Sequence, residues 1–231
     1  MKENPLDSIY LALEEGDLEQ AKTLLDGATA AAPNDPDLWY AFAELDAEND
    51  DAPAALQHLL KAVAIDPKFS DAHHALGRVY EELGDRPQMI AHDLQVLALD
   101  EAVDEEAGLG SPEELELLAG EAEWVLSQLP EPFKGRIANV PVVLEARPPK
   151  ALVAEGFDPR ALGLFEGEND HETHAAAGSG YPSRIVLFYA NLLAQCLDED
   201  ELKEEVKITL LHELGHYFGL NEEQVAELGL E

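Results

Sequence analysis

His212 and His216 stand four residues apart, with Glu213 beside the first, in the run His212-Glu213-Leu214-Gly215-His216. On a helix, residues at i and i+4 lie one above the other on a single face, so both imidazoles can reach one tetrahedral zinc ion. Glu213 sits about 60° around the helix from His216. From there it holds no metal, but it can take a proton from a water on the metal and later return it. Two surface histidines on an amphipathic helix are the bland alternative. A purely structural zinc site would have no use for the glutamate.

The elements that position these residues are legible nearby. Asp198-Glu199-Asp200-Glu201 reads as an N-cap with a capping-box acid, opening a helix that runs through His216. Leu202, Val206, Leu210 and Leu214 recur every fourth residue, about 160–200° around the helix from the histidines. One face therefore packs while the other offers ligands. Gly219 supplies a left-handed stop. Beyond it, Glu222 is the acid expected as third ligand, with Glu223 and Glu227 as alternatives. Asn221 with Gln224 also reads as the capping pair of a short last helix, whose first turn favours an acid in any case.

The run resembles the metal-binding helix of zincin metallopeptidases. Its continuation through Gly219 to Glu222 resembles the longer H-E-x-x-H-x-x-G-x-x-ligand pattern of metzincins and related zincins. It departs from those families in having Glu where they mostly have His or Asp. It also lacks their methionine turn, since the only methionines are Met1 and Met89. Upstream, a helix from Pro112 to about Gln128 precedes three short strand candidates, Val140–Glu145, Leu162–Glu166 and Arg184–Tyr189. That order is similar to a family of small bacterial zincin-like domains, over residues 112–231. The resemblance implies a zinc peptidase with His212, His216 and Glu222 as ligands. Glu213 would activate the zinc-bound water that attacks a peptide carbonyl, and Tyr217, Tyr181 or Arg184 would steady the oxyanion. It also implies a substrate running antiparallel to Arg184–Tyr189. The competing reading is a repeat adaptor whose metal site is structural or silent. His171 and His174, in the Gly- and Ala-rich stretch 167–182, read as solvated loop histidines rather than a second site.

The first hundred residues repeat with a period of 34. Gly16-Asp17, Asp50-Asp51 and Gly84-Asp85 share one slot, as do Ala21, Ala55 and Met89, and Pro33 recurs as Pro67. Each unit reads as two amphipathic helices joined at that slot. The pattern resembles three tetratricopeptide repeats, about 2–35, 36–69 and 70–103, which implies a concave groove for a peptide or protein. Tyr10, Tyr40, His74 and Arg78 fall on the groove-facing helices among many acids, so the expected partner is basic. A solvated acidic face is the plain alternative.

Composition agrees with such a partner. Asp and Glu total 49 against 14 Lys and Arg, a formal charge of −35, which repels nucleic acid and anionic membranes. Apolar residues make up 46 % of the chain, enough for a core. The single Cys196 excludes an internal disulfide and reads as core rather than nucleophile. No run of 18 apolar residues occurs, and Met1-Lys2-Glu3-Asn4-Pro5 leads into an acidic helix rather than a signal segment. The expectation is a cytoplasmic α+β protein that meets neither nucleic acid nor membrane. It would consist of an all-α tetratricopeptide solenoid at 1–103, an acidic linker at 104–111 and a small α+β zincin-like domain at 112–231.

Overall fold

The computed structural model describes residues 4–167 and 183–226. The chain divides into two compact units, one of residues 1–100 with 150–157, the other of 101–149 with 158–231.

The first unit is built from helix pairs: α1 (Pro5–Glu14) with α2 (Leu18–Ala31), α3 (Pro36–Glu48) with α4 (Ala52–Ile65), and α5 (Ser70–Glu82) with α6 (Arg86–Ala107). Local chemistry starts each early helix. The Asn4, Asp17, Asp35 and Asp51 side chains accept from backbone N–H groups of the first turns, and Pro5 and Pro36 stand where a missing N–H costs nothing. The turn inside each pair takes a left-handed residue 34 positions apart, Gly16 at φ 72°, Asp50 at φ 55° and Gly84 at φ 74°. The 34-residue phase is thus a backbone fact. Small residues let the helices close on one another. Ala12, Ala21 and Ala41 are buried with Ile9, Leu25 and Leu38, and Ala55, Ala62 and Ala72 with Leu59 and Leu76. A short helix, α9 (Lys150–Val153), joins this unit from far along the chain. Val153 is fully buried, and the Arg86 guanidinium donates to the Glu155 carbonyl.

In the second unit, α7 (Pro112–Gln128) starts with a reciprocal cap. Ser111 Oγ accepts from Glu114 N, and Glu114 Oε2 accepts from the Ser111 and Gly110 N–H groups. These bonds hold the Glu114 carboxyl below its ordinary proton affinity. The expected linker 104–111 falls partly inside α6, which continues to Ala107. After α8 (Glu131–Ile137) come the strands β1 (Val142–Glu145), β2 (Gly163–Glu166) and β3 (Arg184–Phe188). The sheet order is β1-β3-β2, with β1 parallel and β2 antiparallel to β3. Helices α10 (Tyr189–Gln195), α11 (Glu199–Tyr217) and α12 (Glu222–Ala226) follow.

The expected stripe Leu202, Val206, Leu210 and Leu214 is buried with Ile185 and Leu187 of β3 and Leu118 and Val125 of α7. Cys196 packs at the edge of this core. Burial, and then Glu205, push its thiol above the ordinary value, which fits core rather than nucleophile. No helix among the described residues is long and apolar enough to cross a membrane.

One expectation is corrected by the sheet order. Arg184–Tyr189 was the strand along which a substrate would run, but β3, which ends at Phe188, is the middle strand. Its register pairs Ile185 with both Val142 and Phe165. A strand paired on both sides has no free backbone edge to offer another chain. Among the described residues, β2 beside the histidine helix is paired on one side only, with β3.

Candidate metal centre

Helix α11 carries His212, Glu213 and His216. The Asp198 side chain accepts from Asp200 N and Glu201 N at its start, as the sequence predicts. Its end is a left-handed stop at Gly219, φ 85°, where Leu220 N reaches Gly215 O at 3.0 Å and Gly219 N reaches His216 O at 2.9 Å. This turn throws the chain back over the helix. Asn221 and Gln224 then cap α12 reciprocally, Gln224 N to Asn221 Oδ1 at 2.9 Å and Asn221 N to Gln224 Oε1 at 3.0 Å. The capping pair and the ligand reading of Glu222 coexist, because the cap fixes the helix on which Glu222 is the first residue. Gly215 makes room for that helix, since a Cβ there would come within 2.9 Å of Val225 Cγ2.

The result is a convergence of three donors. His212 Nε2 and His216 Nε2 are 3.0 Å apart, His216 Nε2 is 3.2 Å from Glu222 Oε1, and His212 Nε2 is 3.5 Å from Glu222 Oε2. Ligands about 2.0–2.1 Å from a tetrahedral zinc lie roughly 3.3 Å from each other; here one ligand atom from each of the three residues lies within 4.8 Å of the others, close enough to converge on one ion. The hydrogen bonding agrees. The Leu220 carbonyl lies 3.1 Å from His216 Nδ1 and can only accept, so Nδ1 carries the proton and Nε2 presents its lone pair. Two nitrogens and a carboxylate suit zinc. The donor set fits the ion.

Glu213 is buried and turned to β2. Its Oε2 accepts from Phe165 N–H at 2.6 Å, and Oε1 accepts nothing from the described residues. Burial raises its proton affinity, an effect opposed by His212, His216 and the Phe165 amide and reinforced by Glu222. Gly163 allows this fit, because a Cβ there would come within 2.7 Å of Thr209 Cγ2 and 3.0 Å of Glu213 Cγ. Sequence reasoning missed Gly163, the Phe165 amide and the Leu220 carbonyl. Only the first left a trace, a glycine inside a strand, which marks close approach of another group.

The two oxyanion candidates among the described residues, Tyr217 and Arg184, have their polar groups engaged by other partners. Tyr217 is buried, its hydroxyl donates to the Arg136 carbonyl at 3.0 Å, and its ring meets Phe165 edge-on. Arg184 is held between Glu166 at 2.6 Å and Glu145 at 3.0 Å, at the start of the middle strand. Tyr181, His171, His174 and Glu227 lie outside the described residues.

Three donors at zinc spacing beside a buried glutamate, on a helix backed by a small sheet, define a domain of the zincin type. Residues 137–230 match the family model described as zincin-like metallopeptidase, and residues 12–78 match that of the tetratricopeptide repeat. The chain therefore carries tetratricopeptide repeats ahead of a zincin-like metallopeptidase domain. No curated protein matches it.

Proposed function

We propose that this protein is a zinc-dependent peptidase whose repeat unit recruits a basic peptide or protein. The observation that carries the first half is the convergence of His212, His216 and Glu222 beside Glu213. Zinc bound there would supply Lewis-acid polarisation of a carbonyl and lower the pKa of water to about 7. His212 and His216 present ring nitrogens and Glu222 a charge that offsets the cation. Glu213, oriented by the Phe165 amide through one oxygen, keeps Oε1 to accept a proton and return it to the leaving amine. The test is metal content of the purified full chain together with cleavage of an unbiased peptide library. Stoichiometric zinc, and cleavage lost on chelation and regained with zinc, is the expected result. Zinc without any cleavage would favour the repeat adaptor with a silent metal site.

The recruitment half rests on crowding of carboxylates along the groove helices. Burial and then Asp35, Asp66 and Asp71 raise the proton affinity of Asp37, and burial and Asp71 raise that of Glu44 although the Tyr10 hydroxyl donates to it. Tyr10 is pushed up as well, first by burial and then by Glu44. Glu44 Oε2 is buried with no hydrogen-bond partner among the described residues. Tyr40, packed on Phe69 at 5.2 Å, adds an aromatic wall. A lysine or arginine side chain would relieve this repulsion.

Two outcomes follow for Glu44. A carboxyl whose folded proton affinity is raised costs stability once it ionises, so Glu44→Gln should melt higher than wild type at pH 7. The difference should shrink as pH falls and vanish below the ordinary Glu value of about 4.3. The same variant should bind a basic peptide more weakly. Wild-type binding should weaken between about 0.1 M and 1 M salt, as the Debye length falls from about 10 to about 3 Å. Equal, salt-insensitive affinity for acidic and basic peptides would leave only a solvated acidic face.

A further inference from the structure

The repeat unit carries a second recess that the proposed chemistry does not use. Between α2, α3 and α4 lies an open cavity of about 430 Å³, a volume typical of small-ligand sites. It shares no residue with the groove. Its aromatic wall is already in place, with Trp39 stacked 5.7 Å from both Phe42 and His58, and Phe42 5.0 Å from His58. Trp39 is fixed by its Nε1–H on the Pro33 carbonyl at 2.9 Å, and His58 by Asp46 at 2.6 Å. Side chains fixed before binding lose little entropy when a ligand arrives.

Lys61 gives the recess its chemistry. Its Nζ lies 3.2 Å from the centroid of the Trp39 ring. In a chain with 49 acids and 14 bases, this lysine makes no ion pair among the described residues. Because the ammonium already occupies a face of the indole, a cationic ligand finds no free place there. An anion does, on the ammonium itself. Asp26 is the one carboxylate of the lining, so with Lys61 the recess has no net charge inside a chain of −35. A singly charged carboxylate fits that balance better than a doubly charged phosphate.

We propose that this cavity binds a ligand combining a flat apolar ring with a carboxylate, the ring on the Trp39–Phe42–His58 wall and the carboxylate on Lys61. A free aromatic acid and the C-terminal residue of a peptide both offer that chemistry.

The test uses the full chain with Trp124, the other tryptophan and an exposed one, changed to Phe, so that emission reports on Trp39. The probes are 3-phenylpropionate, 3-phenylpropionamide, and Gly-Gly-Phe as free acid and as amide. The expected result is saturable binding of at least one acid with a Kd on the order of 1 mM or tighter. Each amide should bind at least about three-fold more weakly than its acid, and Lys61→Met should erase that preference. Ala30→Phe, which fills the recess from its exposed rim, should abolish binding without changing the helical signal. Tighter binding of Gly-Gly-Phe than of phenylpropionate assigns the site to a peptide C-terminus, and the reverse order to a free acid. Equal affinity for acid and amide, an unchanged Lys61→Met variant, or no saturation by about 10 mM overturns the proposal.

Discussion

Changing Glu213 to Gln should leave zinc bound while hydrolysis falls about 10²–10⁴-fold. Glutamine has the same shape, and its side-chain oxygen can still accept from the Phe165 amide, so the buried contact survives. What disappears is the group that takes up a proton. Glu222→Ala should fail differently. Removing one of three converging donors should lower zinc affinity, and with it the melting temperature in zinc, because metal binding adds to folding stability. Zinc titration, thermal melts and cleavage on both variants separate the roles. A Glu213→Gln protein that cleaves as fast as wild type would remove general-base catalysis from this residue. A Glu222→Ala protein that holds zinc undiminished would pass the third position to Glu223, Glu227 or solvent.

The largest stability loss is expected at Arg147, which sequence reasoning did not single out. Its side chain is 5 % exposed, with Nε 2.5 Å from Asp104 Oδ2 and a second nitrogen 2.9 Å from Oδ1. A further nitrogen donates to Asn191 Oδ1, and Asn191 Nδ2 donates to the Pro159 and Ala161 carbonyls at 3.0 and 2.6 Å. One guanidinium thus ties the end of α6, the segment after β1, the approach to β2, and α10. Arg147→Met leaves a poorly solvated carboxylate and an unpaired amide oxygen. The expected cost is about 3–5 kcal/mol, read as a fall in the denaturant midpoint of the second unit. Arg147→Met combined with Asp104→Asn should recover part of it, since the stranded charge is then gone. A loss under about 1 kcal/mol for the single variant would mean that water reaches Asp104 freely.

The two outcomes differ in how they were reached, and the difference is physical. Glu213 was legible because helix periodicity is local, so spacing along the chain fixes position on a face. The 34-residue phase, the Asp198 cap and the Gly219 stop were legible for the same reason. Arg147 was invisible because its partners lie 43 and 44 positions away, in elements that meet only after folding. Sheet order is also nonlocal. From sequence, Arg184–Tyr189 was simply the strongest strand candidate. That strength reflects burial on both faces and pairing on both sides, which is what makes it the middle strand. Sequence left Tyr217 as one of three oxyanion candidates. One residue along a helix from His216 is about 100° of rotation, and in the structure that turn carries its ring into the core.

The segment 150–157 that completes the repeat unit has a consequence for how the protein is made. Synthesis runs from the N-terminus, so the repeats emerge first yet lack their last piece until residue 157 is translated. By then β1 has already appeared, and its parallel partner β3 begins only at Arg184. The 38 residues between Glu145 and Arg184 take roughly 2–8 s at about 5–20 residues per second. Throughout that interval Val142-Val143-Leu144 is a newborn apolar strand without its neighbour, the kind of species that aggregates or recruits a chaperone. Pro141 immediately before it and Glu145 at its end are the sort of residues that keep such a strand from pairing with another chain while it waits.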